Sequence, residues 1–207
     1  MNKRLSPFIA GLLLTTSVGA FAASSVDLTV VGLITPSACE PTLGNGGSID
    51  YGKISAKDLS PTQATPLSAQ TVQMTVTCDA ATLMALEAKD NREGSNYNND
   101  PTEFGLGLIN GTEKLGAMTL SLQTPVADSI PTRTIGSEDG GSTWMLDSNL
   151  TRTNIISVAD ASTVAPMPVE LLTATLQVAP KIAPTSQLTL NNEVAIDGSV
   201  TVTVRYL

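Results

Sequence analysis

The chain contains no histidine. That absence removes the base from Ser–His–Asp and Cys–His machinery and the commonest nitrogen ligand from a tetrahedral zinc site. No S-x-x-K stretch anchors a Ser–Lys pair in its place. Aromatic residues make up only 3% of the sequence, so a core must be built from Val, Leu, Ile and Met. At 207 residues it can still be large enough to fold. Cationic residues are also scarce, 11 against 19 acidic ones. An acidic surface does not suit phosphate backbones or anionic lipid, so neither nucleic acid nor a membrane surface is an expected partner. No apolar run reaches the roughly 20 residues of a membrane-spanning helix, so no membrane insertion is expected. Neither catalysis nor a cofactor is expected of such a chain.

What apolar run there is lies at the N-terminus. Lys3 and Arg4 precede the segment Phe8–Leu14, and Ala20-Phe21-Ala22 follows as an A-x-A site. This is the pattern of a secretory signal peptide, residues 1–22, cleaved after about Ala22. Cleavage leaves nine basic residues against 19 acidic ones, a net charge of −10. The remainder, residues 23–207, fits one domain with a long insertion in its middle.

Cys39 and Cys78 are the only cysteines. In an exported chain an even count reads first as a disulfide. Closing a loop of about 40 residues would stabilise the fold by about 4 kcal/mol on the chain-entropy model. Free thiols and a metal site are the other readings. The second lacks ligands, and no metal is expected.

Strand signals run through the mature chain. Val26, Leu28, Val30, Gly32 and Ile34 alternate with mostly polar neighbours, and Pro36 ends that run. Gly44-Asn45-Gly46-Gly47 reads as a turn, Ile49–Ile54 as a short strand, and Lys57–Pro66 as a loop. Val72, Met74 and Val76 alternate on a strand ending at Cys78. Thr82–Ala88 is a strand or one helical turn, and Asp90–Pro101 is a polar loop. Phe104–Ile109 and Leu115–Leu122 flank Asn110-Gly111, a strong hairpin signal. Pro125–Ser142 reads as loop. Trp144–Leu146, Asn154–Val158, Val169–Val178, Leu188–Leu190 and Val194–Tyr206 complete the set. No sustained helix and no internal repeat is visible. Many short strands between turns predict an all-β sandwich.

The last of these strands alternates most strictly. Val200, Val202, Val204 and Tyr206 fall on one face, with Ile196 and Val194 continuing the set. A sequence that stops in mid-strand offers no later strand to pair with this one, so an open sheet edge is expected. An open edge is a template for another chain.

These features together resemble chaperone–usher pilus (fimbrial) subunits. The resemblance rests on Gly32 seven residues before Cys39, on Cys78 at a strand end about 40 residues later, and on the penultimate Tyr206. The stretches Asp90–Ser95 and Phe104–Gly107 are similar to an uncharacterised fimbrial-like branch of secreted bacterial proteins. Residues 110–192 carry little of the resemblance. It implies an immunoglobulin-like sandwich lacking its final strand, which a periplasmic chaperone supplies during folding and a neighbouring subunit supplies afterwards. An outer-membrane usher would be a further partner, and the cell-surface fimbria the destination. Strand addition gives affinity through backbone hydrogen bonds and specificity through side-chain pockets. Val200, Val202, Val204 and Tyr206 would line one wall of the acceptor groove, and Val26–Ile34 the other. The same valines also suit an ordinary core strand in a complete sandwich.

One departure from the family pattern follows. Only Ala23, Ser24 and Ser25 precede Val26, and three residues cannot span a groove. The chain would then accept a strand without donating one, as a tip-type or capping subunit. Two other readings remain: the middle insertion supplies the strand internally, or Val26–Ile34 is itself the donor. A self-complete secreted or periplasmic binding domain is the alternative function.

The remaining candidates are minor. Trp144, on a Gly-rich loop, could stack on a host or surface glycan or anchor a core. Tyr97 could do the same from its Asn-rich loop. Asp90, Glu93 and Asp100 share an oxygen-rich loop, but Arg92 interrupts any calcium-ligand spacing. Glu138, Asp139 and Asp197 read as solvated loop acids. Asn110 and Asn149 begin glycosylation sequons that a bacterial source would leave idle.

Overall fold

The computed structural model describes Thr29 and residues 38–207. The signal peptide expected over residues 1–22 and, Thr29 aside, the strand expected over Val26–Ile34 lie outside the described residues. Residues 38–207 fall within one compact unit.

Among the described residues the chain's short apolar–polar alternations become fifteen strands: β1 (Cys39–Leu43), β2 (Thr65–Pro66), β3 (Gln70–Thr82), β4 (Met84–Asp90), β5 (Phe104–Gly105), β6 (Leu108–Ile109), β7 (Glu113–Lys114), β8 (Gly116–Ala127), β9 (Ile130–Pro131), β10 (Arg133–Ser137), β11 (Met145–Leu146), β12 (Asn149–Leu150), β13 (Ile155–Ala159), β14 (Val169–Ile182) and β15 (Val200–Tyr206). One sheet has the order β1-β3-β14-β8-β12, with β2, β5 and β9 paired at its margins. The second has the order β11-β10-β13-β4-β15, and β6 and β7 form a separate two-stranded ladder. Every pairing between strands is antiparallel. Helical structure among the described residues is limited to three 3-10 turns. The expected all-β sandwich is what forms.

Period-2 alternation decides which side chains meet. β3 turns Val72, Met74, Val76 and Cys78 inward, and β14 adds Leu172, Ala174 and Leu176. From the other sheet come Met84, Leu86 and Ala88 of β4 with Ile156 and Val158 of β13. These join in one cluster with Phe104, which is fully buried. Each such aliphatic side chain contributes roughly 1.5–3 kcal/mol on burial.

Several boundaries differ from the sequence reading. Within the expected loop Pro125–Ser142, only Glu138–Ser142 is irregular throughout; the stretch up to Ser137 is mostly strand. β8 continues to Ala127 through a register shift opposite Thr173–Thr175, with Thr124 at φ 44°. Asp128 and Ser129, both at positive φ, then turn the chain into β9 and β10. A bulge and a turn without glycine leave no sequence punctuation, which is why the segment looked irregular. Thr82–Ala88 resolves as strand, β4. Ile49–Ile54 and Leu188–Leu190 form no strand, and the last strand begins at Val200 rather than Val194. Asn110-Gly111 does turn a hairpin, at φ 50° and 83°, but only a two-residue ladder forms there, because the chain breaks at Gly107. Gly116 is required for a different reason: a Cβ there would collide with the Lys181 carbonyl of β14.

Two acidic turns are tightly built. The Asp139 carboxylate accepts from the Ser137 hydroxyl (2.7 Å), the Ser142 and Thr143 amides (3.0 and 2.9 Å) and the Thr143 hydroxyl (2.6 Å). The Asp160 carboxylate accepts from the Ser162 hydroxyl (2.7 Å) and the Ser162 and Thr163 amides (2.6 and 2.8 Å). The Ser162 hydroxyl bond is the main reason the Asp160 carboxyl is pulled from 3.8 to about 2. The Thr143 hydroxyl bond likewise holds Asp139 well below the usual range. A depressed folded-state pKa means stabilisation present above the ordinary carboxylate value and lost as pH falls through the folded value. Melting temperature should therefore decline from pH 3.8 to about 2, and the paired Asp139→Asn and Asp160→Asn variant should flatten that decline. An unchanged profile in the variant would remove these turns from the acid response.

Candidate strand-acceptor groove

Two sheet edges lie side by side on one flank of the sandwich. Among the described residues β1 pairs only with β3, and β15 only with β4. The two edge strands run in opposite directions. Cys39, the start of β1, donates its amide N–H to the Tyr206 hydroxyl at 2.9 Å. Toward the other end, Leu43 of β1 and Val200 and Val202 of β15 border a hollow of about 250 Å³. Its floor is the first sheet: Val72, Met118, Leu120, Leu176 and Val178. The two edges therefore close at Tyr206 and part over apolar floor, with no ladder between them.

A second hollow, about 490 Å³, continues past the start of β15. One lip is Ile49–Ile54 and the other spans 190–196, with Leu115 and Ile182 beneath. The two hollows share Ile49, Tyr51 and Ile196. Tyr51 is anchored by its hydroxyl, which donates to the Ser68 carbonyl at 3.0 Å, and burial raises its pKa.

The four residues expected to line the groove occupy distinct places. Val200, Val202 and Val204 are half-buried on the inward face, and the threonines between them are exposed. Val204 packs against the core rather than lining the hollow. Tyr206 is 40% exposed and marks the closed end. Among the described residues the opposite wall is built by β1 and Ile49–Tyr51. Val26–Ile34, expected there, lies outside the described residues apart from Thr29. Tyr206→Phe would leave the Cys39 amide without its partner. Faster exchange of that single amide, with the rest of β1 unchanged, is the expected signature, and no change would remove Tyr206 as the closure.

The disulfide fixes the wall in place. Cys39 and Cys78 are direct neighbours in the β1–β3 ladder and are joined by a 2.03 Å S–S bond. β1 is only five residues long, so the covalent tie holds an edge that its own ladder would hold weakly. Such a disulfide is the mark of an exported chain. Among the described residues no helix is long and apolar enough to cross a membrane.

The other candidates lie away from the groove floor. Trp144 is half-buried, and its indole N–H donates to the Gly141 carbonyl of its own loop at 3.0 Å. Tyr97 has the Lys181 ammonium 5.7 Å from its ring centre, and that ammonium also pairs with the largely buried Glu103 at 2.6 Å. The carboxylates of the Asn-rich loop are turned to separate backbone partners. Asp90 accepts from Arg92 and Gly105, and Asp100 from Thr102. Asp197 is not a free loop acid. Arg92 grips it with two bonds of 2.8 and 2.7 Å, and that grip is the first cause of its lowered pKa. The pair ties the approach to β15 onto the polar loop, a contact between residues 105 positions apart that no local pattern signals.

Residues 28–107 match a family model described as "Protein of unknown function (DUF1120)". The matched stretch contains Gly32, both cysteines, the Asp90–Ser95 loop and Phe104–Gly107. Over 245 aligned positions the chain is 28% identical to Protein GltF of Escherichia coli (strain K12), covering 96% of each. It is also 35% identical to Uncharacterized protein YhcF of the same organism over 79 residues, 38% of this chain and 33% of that one.

Proposed function

We propose that this chain is a fimbrial subunit whose sandwich is completed by a strand from another chain. The observation that carries the reading is the pair of unladdered edges, β1 and β15, parted over an apolar floor. Exposed apolar edges of this kind invite aggregation unless something covers them. A periplasmic chaperone would cover the groove during folding, an usher would receive the complex, and a neighbouring subunit would fill the groove in the assembled fimbria. Strand addition needs no catalytic group or cofactor.

The donor segment in this reading is Val26–Ile34. Its apolar residues alternate as a groove-filling strand must, and among the described residues β1 with Ile49–Tyr51 forms the wall facing β15. The subunit would then both accept and donate, as a shaft component does, rather than only cap or tip a fibre.

A self-complete monomer is the second reading, and one observation favours it. β1 starts at the Tyr206 end of the groove. A turn over Thr35–Ala38 could therefore return the chain's own Val26–Ile34 along β1. Periplasmic expression with and without a pilus-type chaperone separates the two. Degradation alone, with rescue as a one-to-one chaperone complex, supports the subunit. A monomer that folds without help and resists denaturant would end the polymerisation reading in favour of a free-standing binding domain.

A further inference from the structure

We infer that Asn91 and Arg92 are positioning residues for strand capture: they clamp the start of the acceptor edge, Asp197–Thr201, over the groove floor. This rests on the strand-acceptor reading above, with Val26–Ile34 of a second copy as the strand captured.

The start of β15 needs an anchor. Among the described residues β15 pairs only with β4, from Val200 opposite Asp90 to Tyr206 opposite Met84. Its other edge has to stay bare for an incoming strand. No strand forms between Ala183 and Ser199 to lead into it. A strand bonded on one side only, entered from a segment without a ladder, frays first at that entry. Val200 and Val202 border the hollow, and they are the residues that fraying would misplace.

Two residues beyond the β4 ladder hold this entry. The Asn91 amide donates to the Ser199 carbonyl at 2.9 Å. The Asn91 side chain donates to the Ser199 and Thr201 hydroxyls, both at 3.0 Å. The Arg92 guanidinium donates to the two carboxylate oxygens of Asp197 at 2.8 and 2.7 Å, and to the Asp197 carbonyl at 3.2 Å. The gripped residues, 197, 199 and 201, alternate with Gly198, Val200 and Val202, which border the hollow. Gly198 lies so close to the floor that a Cβ there would come within 2.9 Å of the Leu106 side chain and 3.2 Å of Met118.

The clamp is itself fixed. The carboxylate of the buried Asp90 accepts from the Arg92 and Gly105 amides at 2.8 and 2.9 Å. The Ser95 hydroxyl donates to the Arg92 carbonyl at 2.6 Å and accepts from the Gly107 amide at 3.0 Å. Asp197 donates its own amide to the Leu106 carbonyl. Both partners of the Arg92–Asp197 pair are partly exposed, and such a pair adds little stability. Its two-bond geometry fixes a direction instead, so what the clamp supplies is placement.

Capture of a labelled peptide carrying residues 23–37 by the whole mature chain, 23–207, tests this in wild type and Arg92→Gln. The variant's urea midpoint should fall by at most about 0.5 M. Its capture should weaken about tenfold. In the complex, the amide protection that the peptide confers on 200–202 should drop at least about tenfold, while that on 204–206 is kept. Capture within about twofold of wild type would overturn the positioning role and leave the groove reading standing. So would a larger fall in midpoint, or an even loss of protection along all of β15, either of which marks general destabilisation. A wild type that captures no peptide would overturn the groove reading, and this role with it. Should Arg92→Gln not fold, Asp197→Asn breaks the same pair from the other side and is judged by the same outcomes.

Discussion

Replacing Cys39 and Cys78 together by alanine is expected to destabilise the fold by about 4 kcal/mol on the chain-entropy model. The bond closes a loop with a sequence separation of 39. With a urea dependence of about 2 kcal/mol per molar, the unfolding midpoint should fall by about 2 M. The consequence reaches past stability. Among the described residues β1 is the outermost strand of its sheet, and it carries one wall of the groove. Without its staple the wall should fray first, so amide protection in 39–43 should be lost at denaturant concentrations where β3 and β14 still hold theirs. A midpoint shift below about 0.25 M, within the scatter of ordinary surface substitutions, would mean that the ladder alone secures β1.

Val202→Asp should abolish strand capture. Val202 is half-buried on the face that borders the hollow, and an inserted strand would bury it fully. A carboxylate sealed there without a partner costs several kcal/mol. Capture of a peptide carrying residues 23–37 should weaken at least about 100-fold, close to 2.7 kcal/mol. While the groove is empty the same carboxylate still reaches water, so the free domain should tolerate the change better than the complex does. Thr203→Lys is the matched control. It places a charge one residue on, on the outer face, opposite Glu87 of β4. Capture should stay within about twofold of wild type. Equal weakening by both changes would show that the inward face of β15 has no special role.

The parts of this groove that were legible in the sequence are those governed by local periodicity. Val200, Val202 and Val204 share a face because side chains alternate along a strand, whatever surrounds it. The Cys39–Cys78 pairing followed from an even count in an exported chain. The opposite wall was not legible. Ile49 and Tyr51 read as strand, but they form a lip without a ladder. Val194 and Ile196 read as an extension of the last strand and Leu190 as the end of a separate short one, but all three border the second hollow instead. The Pro125–Ser142 stretch hid β9 and β10 behind a bulge and an Asp128-Ser129 turn that carries no glycine.

By itself the sequence determined that this protein is all-β, exported and cross-linked. Alternation and cysteine count are local or compositional properties that need no partner in space. Only the tertiary structure decided which two edges face one another and that they part over an apolar floor. It also decided that Tyr206 closes one end through the Cys39 amide, 167 residues away. Those facts depend on which strands become sheet edges and how two sheets stack, and edge position is a property of the whole ladder order rather than of any strand's own residues.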